Sequence, residues 1–84
     1  MATKDPITIS SDDWTQVSAS GFMMGNETGF EIRYRFNLTK PTASLNLGHE
    51  MLQNGDVNST IIQNCWMKLI TKPETTATVV ITDF

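Results

Sequence analysis

The stretch Phe30-Glu31-Ile32-Arg33-Tyr34-Arg35-Phe36-Asn37-Leu38-Thr39 alternates apolar and polar residues without a break. Side chains of a strand point to opposite faces with period 2. One face therefore carries Phe30, Ile32, Tyr34, Phe36 and Leu38, and the other carries Glu31, Arg33, Arg35, Asn37 and Thr39. A helix would spread those aromatics around its circumference, so the pattern predicts a strand with one buried side. It decides the class of fold and names no reaction.

Working outward, Thr, Ser and Asn are abundant, which favours strands and turns over helices. Strands are expected at Ile7–Ser10, Trp14–Ser20, Gly21–Gly25, Thr60–Ile70 and Thr76–Thr82. Asn26-Glu27-Thr28-Gly29 reads as a hairpin turn into the Phe30 strand, with Gly29 available for a positive φ. Pro41 ends that strand, since proline cannot donate to a sheet ladder. Leu45–Gln53 reads either as an extended segment or as one helical turn around His49 to Leu52, and Asn54-Gly55 is a turn. The expectation is a small antiparallel all-β sandwich or barrel of six to seven strands. It forms one domain over residues 1–84, with residues 1–6 as an N-terminal arm.

The Cys65–Ile70 stretch is apolar on both faces, as in a strand buried on both sides. Either a loop covers one face or that face meets another chain. Adjacent Met23 and Met24 point to opposite faces of a strand, so one of them faces outward unless a further layer covers it.

Composition excludes several functions. The net charge is −3, and the six basic residues are scattered, so the clustered Lys and Arg that neutralise phosphates are missing and nucleic acid is not an expected partner. A single cysteine allows no internal disulfide. The start has no apolar run of the signal-peptide kind, and no segment approaches the roughly 18 apolar residues of a membrane-spanning helix. A soluble protein made in a reducing cytoplasm is expected, with no membrane partner. The triplets beginning at Asn26, Asn37 and Asn58 fit the glycosylation pattern, but the abundance of Asn, Ser and Thr accounts for them.

The residues that carry chemistry are few. His49 is the one candidate base, and no nucleophile motif accompanies it, so it reads as a polar loop residue. Cys65 lies in an apolar strand, where a thiol behaves as a small hydrophobe. Asp12-Asp13 and Asp56 lack metal-ligand spacing. Gly21, Gly25 and Gly29 lack the lysine and the helix of a phosphate loop. No catalytic residue, cofactor or metal is expected. Arg33 and Arg35 share one strand face about 7 Å apart. They either fork onto an anionic partner or pair with Glu27, Glu31 or Glu74. Interface candidates are Arg33, Arg35, Phe22, Met23, Met24 and Trp66.

The landmarks Trp14-Thr15-Gln16-Val17, Phe22 to Gly29, Phe30 to Pro41, Leu47 to Leu52, the Asn54-Gly55 turn, Cys65 to Ile70 and Ala77 to Thr82 follow one another over nearly the whole chain. In that order they resemble small β-sandwich virion structural proteins of tailed bacteriophages. The resemblance implies a non-enzymatic structural role, decorating or cementing a capsid or joining a fibre or tail component. It also implies virion partners such as a capsid protein, a homo-oligomer with a trimer favoured, and assembly in the host cytoplasm. The competing reading is a carbohydrate- or receptor-binding β module, with Trp14, Trp66 or Tyr34 as a stacking platform beside Asn and Asp.

Overall fold

In the computed structural model, which describes residues 2–84, the chain forms ten strands. They are β1 Ala2–Thr3, β2 Ile7–Ser10, β3 Thr15–Ser18, β4 Phe22–Gly25, β5 Glu31–Phe36, β6 His49–Met51, β7 Asp56–Ser59, β8 Cys65–Ile70, β9 Thr76–Val79 and β10 Thr82–Asp83. Every pairing is antiparallel. One sheet runs β3-β8-β5-β6, a second runs β1-β10-β4-β7, and β2 pairs with β9. The all-β expectation holds, and the sheets do not close into a barrel.

The alternating stretch supplies β5, an interior strand. Its ladder to β8 runs from Glu31↔Ile70 to Phe36↔Cys65, and its ladder to β6 from Ile32↔Met51 to Tyr34↔His49. Ile32 is thus wedged between Leu69 and Met51 on the inner face. There Val17, Cys65, Met67, Leu69 and Met51 meet Phe22, Met24, Ile9, Val79 and Ile81 in one core. Each large side chain so buried contributes about 1.5–3 kcal/mol. Phe30, Tyr34 and Phe36 pack at the edge of this core, half-buried. Leu38 does not follow them, because β5 stops at Phe36 and leaves Leu38 88% exposed.

Several local expectations change. β4 and β5 are not a hairpin: β4 lies between β10 and β7, so residues 26–30 carry the chain from one sheet to the other. Buried Asn26 fixes this crossing. Its Nδ2 donates to Phe30 O (2.7 Å) and Leu52 O (3.1 Å), while its Oδ1 accepts from the Thr28 amide (3.1 Å) and hydroxyl (2.7 Å). Gly29 does take a positive φ, 81°. The expected Thr60–Ile70 strand begins only at Cys65, and residues 56–59 form β7 instead. Ser59 Oγ accepts from the Ile61 amide at 3.2 Å, which supports the bend there. Of the two readings of Leu45–Gln53, the extended one is correct and gives β6.

Of the expected arm, Met1 lies outside the described residues, and Ala2 to Lys4 are tied to the C-terminal strand. β1 pairs with β10, the Lys4 amide donates to Ile81 O at 2.9 Å, and Lys4 Nζ lies 3.1 Å from Asp83. Pro6, with no amide proton, separates β1 from β2 where the C-terminal strand also breaks between Val79 and Thr82. These breaks, together with β6 and β7, raise the count from six or seven strands to ten short ones.

A long connection, residues 37–48, folds over the outer face of the β3-β8-β5-β6 sheet. Side chains of the sheet and its flanks hold its carbonyls. Trp14 Nε1 donates to Leu45 O (3.0 Å), Trp66 Nε1 to Asn37 O (3.0 Å), Arg35 to Leu47 O (2.7 Å) and Asn64 to Leu38 O (3.0 Å). Lys68 Nζ donates to Ala43 O and to Asn46 Oδ1. β8 is therefore covered on both faces, the loop burying Lys68 and leaving Trp66 and Ile70 half-buried on the outer one. No buried side-chain polar atom among the described residues lacks a partner, as the cost of orphaning such groups requires.

Candidate functional site

The interface candidates separate. Phe22 is fully buried and Met24 nearly so, and both are core residues with no surface to offer. Met23 faces outward at 41% exposure, which answers the adjacent-methionine question. Trp66 is half-buried, its indole N–H committed to Asn37 O. Arg33 and Arg35 share the outer face of β5 but do not converge. Arg33 pairs with Glu50 at 3.0 Å, and Arg35 donates to Leu47 O and Asn37 Oδ1. Their partners are not Glu27, Glu31 or Glu74, because β6 rather than a distant turn lies beside Arg33. Both guanidinium groups are engaged inside the chain.

Two apolar patches and a groove stand apart from these candidates, Met23 excepted. Leu38 and Ile62, 88% and 80% exposed, line one hollow with Ala19, Gln63 and Asn64. Its volume is about 410 Å³. A second exposed pair, Met23 and Val80, lines a hollow of about 370 Å³ with Thr78 and Thr82.

The groove, of about 460 Å³, lies between the free edge of β6 and the free edge of β7. Tyr34, Phe36 and His49 form one wall, and residues 56–61 form the other. Tyr34 and His49 are direct cross-strand partners with ring centroids 5.3 Å apart and planes tilted by 36°. Phe36 meets Tyr34 edge-on at 6.3 Å. Gly48 permits this arrangement, since a Cβ there would lie 2.8 Å from Tyr34 O.

Trp14 is excluded as a stacking platform, because it is buried under the 37–48 connection. Cys65 is fully buried, and that burial pushes its thiol up to about 12, so it is not a nucleophile at neutral pH. Sequence reasoning placed His49 in a loop and so missed its stacking on Tyr34. The signal was present in the spacing, since a hydrophobic Met51 two residues after His49 matches the register of Ile32 and Tyr34.

No protein-family model, curated protein or solved structure matches this chain.

Proposed function

We propose that this chain is a non-enzymatic structural domain of a tailed-bacteriophage virion, decorating or cementing the capsid or joining a fibre or tail component. The observation that carries the reading is the exposed Leu38–Ile62 patch. Large aliphatic side chains grouped around a hollow on a soluble domain mark a contact surface. The second apolar pair, Met23 and Val80, gives the subunit a further, unlike patch. Two unlike patches suit head-to-tail contact between copies, which closes into rings such as a trimer. Two residues within the landmarks of the bacteriophage resemblance hold parts of the fold in place. Trp14 pins the 37–48 connection, and Asn26 sets the crossing between sheets. Other virion proteins, a capsid protein among them, are the remaining partners, met after synthesis in the host cytoplasm.

The test is solution mass at micromolar concentration, for the natural sequence and for Leu38→Asp combined with Ile62→Asp. An oligomer that falls to the monomer mass in the double variant, with the fold intact by circular dichroism, supports the reading. A natural chain that stays monomeric and does not co-sediment with virions overturns it.

A further inference from the structure

β7 ends its sheet, and the phase of the hydrogen bonds fixes which of its backbone groups face outward. The Asn26 amide donates to Gly55 O at 2.7 Å, one step beyond the Gly25↔Asp56 pair, so Asn26 and Gly55 are a hydrogen-bonded pair. Such pairs alternate along an antiparallel ladder. Val57 and Ser59 therefore turn their amides and carbonyls to β4, while those of Asp56 and Asn58 point to the free edge. The other side of β4 agrees in phase. There the Phe84 amide donates to Gly21 O at 2.9 Å, which assigns Met23 to β10 and leaves Phe22 and Met24 for β7.

Side chains follow the same register. Asp56 and Asn58 are exposed on the outer face with Met23, and Val57 lies inward across from buried Met24. The groove of about 460 Å³ separates this edge from β6, so β6 does not cover it. The usual guards against an incoming strand are missing, since β7 has no lysine or proline and its ladder to β4 runs without a bulge. By contrast, the β3 edge carries an irregularity between Gln16 and Ser18. The Asn37 amide bond to Asn64 O (3.1 Å) sets the phase of the other sheet, and it leaves Glu50 alone facing the free edge of β6. A twofold pairing about Glu50 would set two carboxylates opposite one another, which is unfavourable.

We infer that β7 pairs antiparallel with β7 of a second copy, across a twofold axis at Val57. Edge-facing residues must meet one another, so Asp56 lies opposite the partner's Asn58 and Asn58 opposite the partner's Asp56. Both outer-face pairs then join a carboxylate to an amide. The two Val57 side chains meet on the inner face, in the non-hydrogen-bonded pair where side chains approach most closely. A shift one way sets Asp56 against Asp56, and a shift the other way sets Val57 against Ser59 and loses the apolar pair. Antiparallel pairing also brings residues before β7 in one copy toward those after it in the other, so exposed Leu52 nears the partner's Ile61, itself exposed. The contact is isologous and uses neither Leu38 nor Val80, so it is independent of the virion reading and its head-to-tail patches. Four backbone hydrogen bonds and little apolar area make a weak dimer, with a dissociation constant on the order of 0.1 mM.

The experiment is sedimentation equilibrium from about 10 µM to about 1 mM, spanning the expected constant. The samples are the natural chain, Asn58→Asp and Asn58→Lys, each also in a Leu38→Asp background so that contact through that patch does not mask the edge. Asn58→Asp places like charges in both symmetric pairs and should weaken the dimer about tenfold, while Asn58→Lys faces the partner's Asp56 and should tighten it about tenfold. Both change an exposed side chain, and circular dichroism should be unaltered. Amide exchange of the natural chain should slow with concentration at Asp56 and Asn58, while Val57 and Ser59 are protected throughout by β4. A monomer at every concentration overturns the proposal, as does a dimer of equal strength in all three chains. Protection that rises at Thr76 and Thr78 instead moves the contact to β9 and overturns it too. Weakening by Asn58→Lys as well as by Asn58→Asp overturns the register, since it would put Asn58 on the axis.

Discussion

Lys68 and Asn46 meet beneath the 37–48 connection, Nζ to Oδ1 at 2.9 Å, and the lysine is buried there without a carboxylate. The ion pairs among the described residues use Lys4, Arg33 and Lys40 instead. The Lys68 ammonium is therefore held by neutral oxygens alone, Asn46 Oδ1 and Ala43 O. Charge-bearing hydrogen bonds of this kind contribute about 1.5–3 kcal/mol each, and removing one partner leaves the other desolvated.

Asn46→Ala should accordingly cost about 1–3 kcal/mol and Lys68→Ala more. The double variant should cost less than the sum, with a coupling of about 0.5–3 kcal/mol in urea unfolding. Strict additivity would show that the two side chains do not depend on one another.

Asn26 is a second buried polar group with every bonding position used. Asn26→Ala removes one of two donors at each of Phe30 O and Leu52 O, the others being the Thr28 hydroxyl and the Gly55 amide, and should lower stability by about 1–3 kcal/mol. The urea midpoint should fall with little change in slope. An exposed-residue effect, within about 0.5 kcal/mol, would mean the crossing is held elsewhere.

Cys65 predicts behaviour in alkali. Its folded value is raised by burial to about 12, above the roughly 8.5 of an unfolded thiol. The stability it contributes is complete below the unfolded value and is lost as pH rises from there toward the folded one. The loss approaches about 1.4 kcal/mol per pH unit. Cys65→Ala should flatten this decline between pH 9 and 11 relative to the natural chain, after its own cavity cost. Native protein should also resist a thiol reagent until unfolded, and rapid labelling would refute the burial argument.

Asp13 governs the acid side. Lys40 Nζ at 2.7 Å, then the Trp14 amide at 2.8 Å, hold its carboxyl below its ordinary value. The stabilisation is present above the unfolded value, about 3.9, and is lost as pH falls through the folded one. The pair is exposed, so the effect is small and screened by salt. Asp13→Asn should make stability less dependent on pH below about 4, and identical acid profiles would remove Asp13 from the account.

How much of this was legible follows the range of each interaction. The alternation of Phe30 to Thr39 produced β5, and Met23 and Met24 do part to opposite faces, because both depend on a period set within one strand. The positive φ of Gly29 is likewise local. The partner of β4 was not legible, because pairing with β10 and β7 joins residues far apart in sequence. A loop over β8 was one of the two readings of its apolar faces, but the contacts that hold that loop were not legible. Trp14, Trp66, Arg35 and Lys68 all donate to backbone carbonyls, and a carbonyl carries no residue identity to read. The Tyr34–His49 contact lay between these cases, hidden by the uncertain conformation of Leu45–Gln53.

Ala2 and Asp83 are partners across the β1–β10 ladder, so the chain returns almost to where it set out. Topologically it is close to a ring. Ala2 and Asp83 lie about one strand spacing, roughly 5 Å, apart, and a linker of a few residues would join them. New ends opened at the exposed Gln53–Asn54 turn would then give a permuted chain with the same core. The same closeness makes the domain portable, since it can be spliced into a loop of a larger protein without prising that loop apart.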